Sequence, residues 1–104
     1  MDLESFGERL AKLRTMKGVS ARDMSLSIGQ SANYINKIES NKSFPSMTAF
    51  FYICEYLEIS QQDFFDKNNV FPEKLNELVE DLKRLDDKAL SYIVGIVKEM
   101  IGKK

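Results

Sequence analysis

Histidine and tryptophan are absent from the 104 residues, cysteine occurs once, proline twice and glycine five times. Each scarcity excludes something. Without histidine and with a single thiol, the chain alone cannot assemble the usual zinc sites, a Ser/His/Asp triad or a Cys/His dyad. An enzyme is therefore not expected, and no metal or cofactor is implied. A lone cysteine cannot close an intramolecular disulfide. No stretch approaches the roughly 18 uncharged apolar residues of a membrane span. The opening MDLESFGERLAKL has neither the basic start nor the continuous apolar run of a signal peptide, so a cytoplasmic location is expected. Charge of one sign is not in excess either, with 15 basic and 16 acidic residues and a net charge of -1. What remains is 43% hydrophobic, enough for a modest core and too much for a disordered chain.

The apolar residues recur at helical spacing throughout. Phe6, Leu10 and Leu13 mark a first helix that Gly18 ends. Ser20 precedes a second, with Met24 and Ile28 inside and Gly29 closing it. Ser31 is expected to cap a third, Ala32 to Glu39, whose inward positions are Ile35 and Ile38. Ser46 opens a fourth through Phe50, Ile53, Cys54 and Leu57, and Ser60 a fifth carrying Phe64 and Phe65. The aromatic set Phe50, Phe51, Tyr52, Tyr56, Phe64 and Phe65 reads as core, with Tyr52 and Tyr56 on another side of the helix, and Cys54 as a small buried apolar residue. Asn68, Asn69 and Pro72 favour turns, so residues 67–72 read as a linker between a domain over 1–66 and a tail over 73–104.

Two short helices joined through Gly29-Gln30 make a helix-turn-helix arrangement, the geometry that places one helix in the DNA major groove. The outward positions of the third helix offer Asn33, Tyr34, Asn36 and Lys37, side chains able to hydrogen-bond base edges or phosphates. Between Arg9 and Lys42 there are seven basic residues against two acidic ones, in a chain that is acidic overall. Such segregation suits a polyanion, and the partner it points to is double-stranded DNA.

The residues in this stretch resemble the Cro/CI or Xre-type helix-turn-helix repressor domain. The resemblance runs from Leu10 to Phe65, through LRTMKGVSARDMSLSIGQSANYINKIESNKSFPSM and FFYICEYLEISQQDFF, a little over half of the chain. It is carried by Leu13-Arg14, Gly18, Ser20, Gly29, Ile35, Ile38-Glu39, Pro45, Ile53, Leu57 and Phe64-Phe65 in register. It implies an all-α, five-helix repressor-like domain in which Ala32, Asn33, Tyr34 and Lys37 read bases. Ser31 and Asn36 then lie near phosphates or the groove edge, while Ala21, Arg22 and Lys42 face the backbone. By the same resemblance Arg14 and Glu39 pair structurally. Three positions depart from the pattern: Ala21 stands where glutamine is common, and Asn41 and Glu58 where glycine is usual. Asparagine tolerates the left-handed conformation well; glutamate at a helix end does so less readily.

The tail carries its own stripes, Leu75, Leu78, Val79, Leu82 and Leu85, then Leu90, Ile93, Val94, Val97, Met100 and Ile101, and reads as a helical hairpin. A five-helix domain can stand alone, so these stripes need another partner. A homodimer through Leu78, Leu82, Leu90, Ile93, Val97 and Met100 is expected, with a palindromic operator as its consequence. The alternative is a protein-interaction module, such as an antitoxin or anti-repressor, whose tail binds a second protein.

Overall fold

The computed structural model describes residues 1–102, and among them the architecture is all-helical, seven helices with no strand. The chain divides into two compact units, Met1–Glu73 and Lys74–Lys104.

In the first unit α1 (Leu3–Lys17), α2 (Ala21–Ser27), α3 (Tyr34–Glu39), α4 (Met47–Leu57) and α5 (Gln61–Phe65) enclose one core. Serine or aspartate starts most of these helices, because a short side-chain oxygen can accept from the otherwise orphaned N–H groups of the first turn. Ser20 accepts from the Asp23 amide at 3.0 Å, Ser46 from Ala49 at 3.1 Å and Ser60 from Asp63 at 3.0 Å. Asp2 and Ser5 form a reciprocal capping box that starts α1 three residues before the first apolar position used to predict it.

The core is Phe6, Leu10 and Leu13 from α1, Met24 and Ile28 from α2, Ile35 and Ile38 from α3, Phe50, Ile53, Cys54 and Leu57 from α4, and Ile59 and Phe64. Each such burial removes apolar area worth about 1.5–3 kcal/mol from water. Phe64 sits at the centre, its ring 4.8 Å from that of Phe6 and edge-on to Phe50 at 5.1 Å. Phe51 and Phe65 depart from the expected core set, each being half-exposed, and Tyr52, expected on another side of the helix, is half-exposed as well. Burial pushes the Cys54 thiol up to about 11, so at neutral pH it is a protonated packing group.

Two residues that hydrophobic patterning does not reveal set how the helices meet. Gly7 lets α1 approach the end of α3 so closely that a Cβ there would lie 2.8 Å from the Ile38 carbonyl oxygen and 3.2 Å from that of Glu39. Arg9, 6% exposed, is not part of the basic surface expected of it. Its Nε donates to the Phe64 carbonyl at 2.7 Å, and its Nη2 to the carbonyls of Asp63, Asp66 and Asn69 at 2.7, 3.0 and 3.0 Å. One guanidinium thereby satisfies the carbonyls at the end of α5 and in the turn beyond. The segment read as a linker over 67–72 lies within the first unit, tied down at Asp66 and Asn69 and with Pro72 buried.

The second unit comprises most of α6 (Pro72–Leu82), the turn that follows it and α7 (Asp87–Met100). Asp86 caps α7 through the Ala89 amide at 2.8 Å. Leu82, Ala89, Leu90 and Ile93 are half-buried near the turn, and no residue of α7 is buried.

Candidate nucleic-acid interface

The turn between α2 and α3 is made by Gly29, whose φ of 79° lies in the left-handed region that side chains resist. After it the chain runs through Ser31 and Ala32 to Asn33, and α3 begins at Tyr34. Ser31 is therefore not the cap of this helix. Its carbonyl accepts from the Tyr34 amide at 3.0 Å in a single preliminary turn, and Asn33, at the cap position, makes no side-chain cap bond.

The missing cap is supplied from α2. Ser25, fully buried, donates its hydroxyl to the Ala21 carbonyl at 2.7 Å and accepts the Ile35 amide at 3.0 Å. One hydroxyl thus satisfies an orphan donor in the first turn of α3 and pins that turn to α2. The signal was legible only as a serine on the inward side of the second helix. The far end of α3 is held by Arg14, which makes a bidentate contact to Glu39, Nε to Oε2 at 2.7 Å and Nη2 to Oε1 at 2.9 Å, and also donates to the Val19 carbonyl at 2.9 Å. Donating to the Glu39 carboxylate raises the pKa of the Arg14 guanidinium.

With Ile35 and Ile38 anchored beneath, helical geometry turns Asn33, Asn36, Lys37 and Ser40 outward, and all four are exposed. Ser40 was not among the residues singled out from sequence. Tyr34 and Ala32 flank this side and are half-buried, Tyr34 packing against the core. Ser31 is exposed, as are Arg22 in the first turn of α2 and Lys42 in the turn after α3; Ala21 is half-buried against the core. Asn41 adopts φ 66° and Glu58 φ 58°, so both positions where the resembled family favours glycine do take the left-handed conformation. Neither turn is lost.

The charge of this surface is smaller than residue counting implied. Arg9 is buried, and Arg14 is engaged by Glu39. Lys17 reaches Glu73 at 3.3 Å and Glu58 at 4.0 Å, acids from outside the counted window, and lies over the Tyr56 ring. Arg22, Lys37 and Lys42 remain exposed around the helix-turn-helix, with Asp23 as the exposed acid. Lys12 instead lines a groove of 590 Å³ together with Met16, Lys67, Val70 and Phe71. Among the described residues no group of acidic or thiol side chains could hold a metal ion, and no helix is long and apolar enough to cross a membrane.

A short α2, a left-handed glycine turn and an α3 with a polar outward side define a helix-turn-helix module. A family model described as a helix-turn-helix domain matches residues 7–70, and the chain belongs to that DNA-binding family. No curated protein and no solved structure matches the chain.

Proposed function

We propose that this chain is a cytoplasmic, sequence-specific transcriptional regulator of the Cro/CI or Xre type. It acts as a repressor without catalysis, by occupying a palindromic operator as a homodimer. The observation that carries the reading is the outward side of α3: Asn33, Asn36 and Lys37 exposed together on a helix fixed at its start by Ser25 and at its end by Arg14 and Glu39. Polar side chains on a rigidly held helix meet the geometric requirement for direct readout in the major groove. Asn33, Tyr34 and Lys37 read bases, with Ala32 beside them for a thymine methyl; Ser31, Asn36, Arg22, Lys42 and the backbone at Ala21 contact phosphates or the groove edge.

The tail supports the dimer. Ten large apolar residues between Leu75 and Ile101 are exposed in α6, α7 and the turns at their ends, and an apolar surface of this kind marks an interaction site. A two-fold dimer sets its recognition helices about 34 Å or a multiple apart, which selects a palindrome.

Selection of binding sites from a random duplex library at two salt concentrations tests this reading. The expected product is an inverted repeat. The three exposed cations around each helix-turn-helix, Arg22, Lys37 and Lys42, predict that log K falls with log salt at a slope of about -5 for the dimer. An unenriched library at both salts would contradict the proposal.

A further inference from the structure

The apolar arc of α7 is wider than one neighbouring helix can use. Leu90, Ile93, Val97 and Ile101 lie along one side, and the half-burial of Ala89, Leu90 and Ile93 is confined to that side and its edge. Along the opposite side Lys88, Tyr92, Gly95 and Glu99 follow the four-three-four spacing of a helix-pairing seam, flanked by Ser91 and Ile96. Tyr92 is 62% exposed and Ile96 56%, and together with Ser91, Gly95, Glu99 and Met100 they border a shallow depression.

Three features of this side have no explanation within one chain. Gly95 sits mid-helix, where glycine weakens a helix, yet nothing lies within 4 Å of where its Cβ would be. Lys88 occupies the first turn and Glu99 the last, the ends at which the helix dipole disfavours those charges. Neither is in an ion pair among the described residues.

We propose that α7 pairs antiparallel with α7 of a second copy of this chain, about a two-fold axis passing between Ile93 and Val94. The inference rests on the homodimer reading and assigns its central contact. In this register Lys88 faces the partner's Glu99, Tyr92 lies over the partner's Gly95, and Ile96 meets the partner's Ser91. In the last two contacts a large side chain is opposite a small one. Each misplaced charge then faces the helix end of the partner that favours it. Lys88 and Glu99 of one chain are about 16 Å apart along the helix and cannot satisfy each other. The side of α7 bearing Leu90 and Val97 stays available to α6.

Sedimentation of the full chain tests the pairing through Lys88→Glu, Glu99→Lys, the double reversal and Gly95→Leu. A two-fold axis repeats every contact, so either single reversal should weaken self-association about tenfold, and the double reversal should restore it. Gly95→Leu should shift the chain towards monomer with its far-UV helicity undiminished. A wild-type dimer indifferent to the single reversals, or not rescued by the double, overturns this pairing and leaves the homodimer reading standing. A wild-type monomer at micromolar concentration overturns both.

Discussion

The two units of this chain handle their apolar residues in opposite ways. Residues 1–73 turn thirteen into a closed cluster around Phe64 and seal its edges with buried polar groups, whereas α7 has a wide apolar arc of which Leu90 and Ile93 are only half-buried and no residue is buried fully. Helical patterning is similar in both, so patterning alone does not say where a surface is covered. In the first unit the covering elements are in the same chain, whereas on α7 the proposed dimer covers the side that bears Tyr92 and Gly95.

Substitutions can break that contrast. The largest effect is expected at Arg9: Arg9→Met removes the donor to four backbone carbonyls and should cost about 3 kcal/mol or more in urea denaturation followed by far-UV circular dichroism. A cost below 1 kcal/mol would mean that the turn after α5 is not anchored as described. Ser25→Ala leaves the buried Ile35 amide without an acceptor and should cost about 1–3 kcal/mol. That change should also loosen the start of α3, seen as faster amide exchange at Ile35. At the small end, Val97→Ala should cost less than about 1 kcal/mol when assayed below the concentration of self-association, because about half of that residue stays in water in the single chain. A cost as large as at Arg9 would show the tail to be a core in its own right.

Much of the fold was legible because helix starts and inward positions follow local rules. Ser20, Ser46 and Ser60 cap the helices they precede, and Ile35, Ile38, Ile53 and Phe64 lie inside. The errors share one cause, tertiary contacts between residues distant in sequence. Arg9 was counted with the exposed cations because its acceptors lie 54 to 60 residues away. Ser31 read as a cap because the true one, Ser25, reaches α3 from another helix. Lys17 looked free because Glu58 and Glu73 meet it through the fold. For the candidate interface, outward Asn33, Asn36 and Lys37 followed from helical spacing, and the half-burial of Tyr34 did not.

The most direct test of the account is the affinity of Lys37→Ala for a selected duplex and for a random one, compared with Lys42→Ala at the same salt. The account predicts that Lys37→Ala loses about 1–3 kcal/mol on the selected site and little on random DNA, while Lys42→Ala weakens both alike. Equal losses from Lys37→Ala on the two duplexes would contradict the claim that the outward side of α3 reads sequence.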